Sequence, residues 1–93
     1  MVVGILQLRL MIRDSQSLKD KRRIVRSLRD RIRNGFNVSV SEVDSLDSRQ
    51  QAVLGVALAT NDRIFADQVL AKVVTLVRAT PGAELVDYEI EIL

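Results

Sequence analysis

The residues with the clearest chemical potential lie between positions 19 and 33, where eight basic residues stand against two acidic ones. At 100° per residue in a helix, five of the cations fall within an arc of about 80°. These five are Lys19, Arg22, Arg26, Arg29 and Arg33. Like charges three and four residues apart repel and destabilise a helix, so such a stripe usually has a partner that neutralises it. Guanidinium groups bind phosphate oxygens through paired hydrogen bonds and stay charged at physiological pH. The stripe therefore predicts a surface that binds anions.

The charge of the whole chain hides this polarity. The formal net charge is +2, but residues 19–33 alone carry +6, which leaves −4 for the rest of the chain. A basic element on a mildly acidic body is the pattern expected for binding phosphate polymers, although an acidic protein partner or an anionic membrane surface is attracted by the same field. Charge alone therefore leaves three kinds of partner open.

Composition argues against catalysis. The 93 residues include no cysteine and no histidine, which removes thiolate chemistry and the commonest acid–base group and metal ligand. The four glycines are scattered and form no phosphate-binding loop. We therefore expect a protein that is not an enzyme, with no catalytic residues, no cofactor and no metal. The acidic cluster of Glu42, Asp44 and Asp47 could offer oxygen ligands to a hard cation, but it lacks the glycine-centred calcium loop, and an ordinary acidic loop is favoured.

The elements that must position the basic stripe follow from hydrophobic periodicity. Period-two alternation predicts strands at about residues 2–13, 36–41 and 86–92, and an apolar run predicts a central strand at 51–60. Helices are predicted after Ser17 and after the Thr60-Asn61-Asp62 cap. The order β-α-β-β-α-β predicts one α+β domain over residues 1–93, a ferredoxin-like sandwich with sheet order 4-1-3-2 and two helices on one face. The opening apolar stretch is too short to span a bilayer, so we expect a cytoplasmic protein without membrane contact.

The face of this sheet away from the helices is predicted to carry a small apolar patch. Its residues are Val3, Ile5, Val53, Gly55, Ala57 and Ala59. An apolar patch on an open sheet is best covered by another protein surface. We therefore expect self-association through this patch and a homodimer.

Two further expectations concern single residues of the core. Lys21 falls near the middle of the apolar arc of the first helix, so its ammonium group is expected to extend past the sheet edge into water. The three aromatic residues, Phe36, Phe65 and Tyr88, are assigned to the core. Because bases stack on exposed aromatic side chains, RNA is expected on the first helix and not on the sheet.

Three segments resemble a known family. They are the run Ser17-Leu18-Lys19-Asp20-Lys21-Arg22 after an opening strand with Val2-Val3-Gly4, the stretch from Phe36 to Val40, and Thr60-Asn61-Asp62. Together they are similar to the bacterial YlxP-like family (domain-of-unknown-function family five hundred and three), over essentially the whole chain. The resemblance implies a small ferredoxin-like protein whose genes tend to sit beside those for translation initiation, transcription elongation and ribosome maturation. It supplies no catalytic residues.

Two functional hypotheses follow. The first is a non-enzymatic RNA- or ribosome-associated protein, an accessory factor in translation or ribosome maturation, that binds phosphates through the basic helix. The alternative is a dimeric interaction or regulatory module whose basic helix docks an acidic protein partner. A steep fall of affinity with salt is expected for the RNA.

Overall fold

The computed structural model describes all residues from 1 to 93. Six elements follow each other in the predicted order. They are β1 (Val2–Met11), α1 (Leu18–Gly35), β2 (Ser39–Asp44), β3 (Gln51–Thr60), α2 (Arg63–Arg78) and β4 (Glu84–Ile92). The predicted β-α-β-β-α-β order is confirmed, and the third strand has the predicted bounds. The first strand ends two residues earlier than expected, at Met11, and the second begins three residues later, at Ser39.

The four strands form one antiparallel sheet in the order β2-β3-β1-β4, which confirms the ferredoxin-like α+β prediction. Along β1, Leu6, Leu8 and Leu10 are buried while Gln7 and Arg9 are exposed. This alternation arises because successive side chains of a strand point to opposite faces. One face of the sheet therefore packs against both helices and the other is open.

One cluster of 18 buried apolar residues fills the space between the sheet and the helices. Helix α1 contributes Val25, Leu28 and Ile32, which lie on one stripe of its surface. Helix α2 contributes a broader stripe that includes Leu70 and Val73. Because both helices bury only one side, their outer sides are left for solvent or partners.

Each helix begins at a side-chain cap. Ser17 Oγ accepts from the backbone N–H of Asp20 at 3.1 Å, and Asp62 Oδ1 accepts from those of Ile64 and Phe65 at 2.9 and 3.3 Å. Such caps satisfy amide groups that have no partner within the helix. The cap on Ser17 fixes where α1 begins, and therefore which residues of the basic run face outward.

Both edge strands contain a bulge. The register shifts between Glu42 and Asp44 on β2, where Val43 is the extra residue, and on β4 opposite Arg9 and Leu10, where Val86 is the extra residue. An extra residue moves the following side chains to the other face of a strand. Glu42 precedes the first bulge and points toward the helices by the ordinary alternation after Val40, whereas the bulge moves Asp44 to the open face opposite Val53.

The assignment of all three aromatic residues to the core is wrong for two of them. Phe36 is partly buried against the core, but Phe65 is 50% exposed and Tyr88 is 40% exposed. Phe65 lies in the first turn of α2, where no element covers it. Tyr88 pairs with Leu8 and so lies on the helix side of an edge strand, where the Arg78 guanidinium is 5.3 Å from its ring centre. None of the three lies on the open face of the sheet.

The apolar residues of the core lie on the strands and on one side of each helix. Neither helix has the length and apolar content that a membrane span requires.

Candidate nucleic-acid interface on helix α1

The outward side of α1 carries a shallow groove between long polar side chains. The groove has a volume of about 900 Å³ and no hydrophobic residue in its lining. It is lined by Lys19, Asp20, Arg22, Arg23, Arg26, Ser27, Asp30 and Arg31. Five cations against two acids give this surface a net charge of +3. Such a groove attracts anions because the cations lie together on one solvent-facing surface.

The cations of this surface have no acidic partner in the molecule. Only two salt bridges occur within 4.0 Å, Lys21–Glu42 and Arg13–Glu84, and neither involves the outward cations of α1. Within the groove, Asp20 Oδ2 instead accepts from the backbone N–H of Gln16 at 3.3 Å. The mutual repulsion of the seven cations on α1 other than Lys21 is therefore not relieved by ion pairing within the chain.

Three of the five predicted stripe residues, Lys19, Arg22 and Arg26, lie in the groove and are exposed. The other two lie on the side of α1 that faces β2. Arg33 Nη2 donates to the backbone carbonyl of Val40 at 3.0 Å. Arg29 is half-buried, and its Nε is shielded from solvent without an acceptor. The stripe thus continues from the outward side of the helix to the sheet edge.

Sequence reasoning left out Arg23 and Arg31, which complete the groove. On the helical wheel Arg23 lies only about 40° beyond Lys19, on the side away from the core. The predicted arc of five cations borders the buried stripe of α1. The most exposed side of the helix lies directly opposite the buried stripe. Centring the arc opposite Val25 and Ile32 would have included Arg23.

The expectation that Lys21 reaches water is wrong, because its side chain is fully buried. Its Nζ donates to Glu42 Oε2 at 3.0 Å and lies 2.8, 3.3 and 3.2 Å from the carbonyl oxygens of Ser45, Leu46 and Gln51. A buried ammonium group needs a counter-charge and acceptors for its three protons, and these four oxygens provide them. Lys21 therefore belongs to the scaffold and not to the binding surface.

The Lys21 contacts join the first turn of α1 to the loop between β2 and β3. This loop needs unusual backbone geometry, since Ser45 has φ of +59° and its N–H donates to Asp44 Oδ1 at 2.6 Å. The loop carbonyls then point inward to the ammonium group. This arrangement holds the N-terminal half of the basic helix in a fixed position above the sheet.

The acidic residues 42, 44 and 47 do not form a joint ligand set. Glu42 points to the helix side and binds Lys21, while Asp44 caps the following backbone. No group of three or more acidic residues is arranged to hold a metal ion. Glu42 Oε2 and the carbonyl oxygens of Ser45 and Leu46 therefore bind the buried lysine.

The patch predicted for self-association lies on the open face. The register pairs Val3 with Ala59 and Ile5 with Ala57, and places Gly55 and Val53 further along β3. Val53 is only 7% exposed, while Ala59 is exposed. A side chain at Gly55 would bring its Cβ within 2.9 Å of Val43 Cγ1, so glycine lets the bulge valine fold over β3.

The fold is similar to those of two de novo designed proteins. The designed protein Foldit4 matches over 100% of this chain and 97% of its own, with a TM-score of 0.56 and 9% identity. The designed protein Ferredog-Diesel matches over 96% of this chain and 83% of its own, with a TM-score of 0.50 and 9% identity. At such identity the likeness concerns the fold alone.

The sequence identifies the family. Residues 3–90 match the family described as "Protein of unknown function (DUF503)". The chain is also similar to the "Uncharacterized protein YlxP" of Bacillus subtilis (strain 168), with 30% identity over 83 residues that cover 89% of this chain and 90% of that protein. The chain therefore belongs to the DUF503 family, and the YlxP-like resemblance of its motifs is confirmed.

Proposed function

We propose that this protein is a non-enzymatic, cytoplasmic RNA-binding protein that holds phosphate groups on the outward side of α1. The observation that supports this most is the absence of any carboxylate within 4.0 Å of the seven cations of the helix other than Lys21. Such a surface is costly in the free protein and is relieved by a polyanion. The resemblance to a family whose genes adjoin those for translation and ribosome maturation favours an accessory factor acting on ribosomal RNA.

The chemistry of the groove favours backbone binding over base reading. Guanidinium groups form paired hydrogen bonds with phosphate oxygens, and the lining contains no aromatic or apolar residue on which a base could stack. Lys19 and Arg33 are fourteen residues apart, so the cations extend over about 21 Å at 1.5 Å per residue. This length spans several phosphates. We therefore expect binding to structured RNA by shape and charge, with little dependence on sequence.

The test is a pair of charge-reversal variants with the same net change. Arg22→Glu/Arg26→Glu changes the groove, whereas Arg49→Glu/Lys72→Glu changes two exposed cations outside α1. Affinity for a ribosomal RNA hairpin is measured by fluorescence anisotropy over a salt series. The parent should show a log–log slope near −0.9 for each duplex phosphate contacted. The groove variant should bind the RNA much more weakly, and its log–log slope should correspond to about two fewer phosphate contacts. The control variant should keep most of the affinity and most of the slope.

Two results would contradict the proposal. Equal losses for the two variants would mean that only net charge matters. Binding of an acidic polypeptide as tight as that of RNA, lost in the same groove variant, would instead favour the docking of an acidic protein. Co-sedimentation with ribosomes, using the parent and Arg22→Glu/Arg26→Glu/Arg29→Glu, checks the ribosomal assignment separately.

A further inference from the structure

The open face of the sheet is organised in columns of different chemistry. Directly opposed residues of antiparallel strands point to the same side, so the register defines what each strand contributes. Strand β2 contributes hydroxyl groups, β3 small residues, β1 larger residues and β4 carboxylates. The columns are Ser39 and Ser41 on β2, Gly55, Ala57 and Ala59 on β3, Val3, Ile5 and Gln7 on β1, and Glu89 and Glu91 on β4.

The two edge bulges add a valine at each side of this face. Val43 on β2 is 51% exposed and folds over Gly55, and Val86 on β4 is 55% exposed. Val86 lines a shallow concavity together with Arg9 and Val53, which lie on the open face. The two valines lie on opposite edges and within about one residue of the same level along the strands. Exposed branched apolar residues on both edges favour a protein surface as the partner.

From this pattern we propose that the open face binds a second copy of the chain, about a two-fold axis that runs parallel to the strands between β1 and β3. Such an axis stacks β1 of one copy on β3 of the other and β2 on β4, at the same level along the strands. Ile5 then lies opposite the partner's Ala57, and Val3 opposite the partner's Ala59. Large residues thus meet small ones, as close packing of two sheets requires.

The charges select this axis over the alternative one. With the proposed axis, Ser41 lies opposite the partner's Glu89 and Ser39 opposite the partner's Glu91, so hydroxyl groups donate to carboxylates. A two-fold axis perpendicular to the strands would stack β4 on β4 and bring together six carboxylates, from Asp87, Glu89 and Glu91 of each copy. Opposed like charges disfavour an interface. The proposed axis also brings Val43 close to the partner's Val86. It opposes one kind of carboxylate pair, Asp87 with the partner's Asp44, and Arg9 lies beside Asp87 in the register. The dimer then opposes four carboxylates, fewer than the six of the alternative axis.

The size of the face agrees with a second copy as the occupant. Four strands about 4.8 Å apart and up to ten residues long at about 3.4 Å per residue present roughly 600 Å². A stable interface buries about 800 Å² of accessible surface on each partner. The accessible surface of a face is larger than its flat, projected area, so roughly 600 Å² of projected area is of the size required. This surface lies on the side of the sheet away from α1, so dimerisation and RNA binding can be tested separately.

The first experiment is the mass in solution by sedimentation equilibrium. The parent should have twice the chain mass of 10.4 kDa. Ala57→Glu, which places a carboxylate in the centre of the face, should be a monomer, whereas Ala71→Glu on the exposed side of α2 should remain a dimer. Circular dichroism establishes that the variants are folded. A monomeric parent, or a folded Ala57→Glu variant that remains a dimer, would overturn the proposal.

The second experiment tests the axis and needs no disruptive variant. The chain has no cysteine, so a single introduced thiol can be cross-linked selectively. Ser41→Cys chains mixed with Glu89→Cys chains should form a cross-linked dimer with a short bismaleimide, and each variant alone should not. Within one chain the two positions lie three strand spacings apart, about 14 Å. Cross-linking of Glu89→Cys alone would reject this axis, and absence of any cross-link would reject the interface.

Discussion

Lys21 and Arg22 are adjacent in the sequence and carry the same charge, yet their environments are opposite. Lys21 is fully buried, with one carboxylate and three carbonyl oxygens around its ammonium group. Arg22 is exposed in the groove and has no acidic partner. One residue step turns a helix by about 100°, which is enough to move a side chain from the core to the solvent. Position on the helix therefore decides whether a cation stabilises the fold or remains available for binding.

Substitution of Lys21 and substitution of Arg22 should therefore have very different effects on the free energy of unfolding. Lys21→Met keeps a long flexible side chain but leaves the Glu42 carboxylate, whose side chain is only 12% exposed, without its counter-charge. Removal of one partner of a buried ion pair costs about 3–5 kcal/mol. Arg22→Met at the surface should change stability by less than about 0.5 kcal/mol. Equilibrium urea unfolding measures both values.

A second variant separates charge from packing at this site. Lys21→Met/Glu42→Gln removes the uncompensated charge and should recover part of the lost stability, because a neutral amide is less costly to bury. If Lys21→Met is as stable as Arg22→Met, the buried ion pair does not hold the loop. If the double variant is no more stable than the single one, the carbonyl contacts carry the effect.

The same pair of residues illustrates what sequence can and cannot predict. The apolar periods place the strands, the helices and the buried stripe of α1, so the ferredoxin-like fold and the outward position of Arg22 are predictable. The fate of Lys21 depends on Glu42, which the alternation of β2 places on the helix side, and on a loop whose carbonyl oxygens surround the ammonium group. Contacts between residues so far apart in the sequence, Lys21 and residues 42–51, cannot be read from hydrophobic periodicity. The signs of these contacts in the sequence are a cation on the buried arc of α1 and a carboxylate, Glu42, in phase with the buried Val40.

The next effect concerns Arg29, which is intermediate between the two environments. Its Nε is shielded from solvent without an acceptor, so Arg29→Met should leave stability unchanged or slightly higher. If RNA supplies the acceptor, the variant should lose about 1.5–3 kcal/mol of binding, which is tenfold or more in affinity. Arg26→Met, fully at the surface, is the control that should weaken binding without any gain in stability. An Arg29→Met variant that binds RNA as tightly as the parent would remove Arg29 from the interface.

A smaller effect is expected for Arg33, whose guanidinium contacts the sheet. Arg33→Gln loses the hydrogen bond to the Val40 carbonyl, and we expect a loss of about 1 kcal/mol in urea unfolding. Arg31→Gln on the same turn has no such bond and should change stability by less than about 0.5 kcal/mol. Equal values for the two variants would show that the bond to the edge strand adds nothing.

The smallest effect concerns the exposed ion pair, in contrast to the buried one. Arg13 Nε lies 2.6 Å from Glu84 Oε2, and the hydrogen bond and positive charge of Arg13 hold the pKa of Glu84 below its ordinary value of 4.5. Because the folded protein binds this proton less readily than the unfolded chain, the pair contributes stability above the ordinary pKa of a glutamate. That contribution is lost as the pH falls through the lower pKa of the folded state.

Nuclear magnetic resonance titration of the Glu84 carboxyl carbon tests this in the folded protein. In Arg13→Gln the pKa of Glu84 should rise toward its ordinary value, while Arg9→Gln, at a surface position of β1, should leave it unchanged. Both side chains of the pair are more than half exposed, so water and salt weaken their attraction. The shift should therefore shrink as salt is added, whereas the cost of Lys21→Met should hardly change, since the buried pair is shielded from ions. A salt dependence of the same size at both sites would contradict the distinction between the buried and the exposed cations.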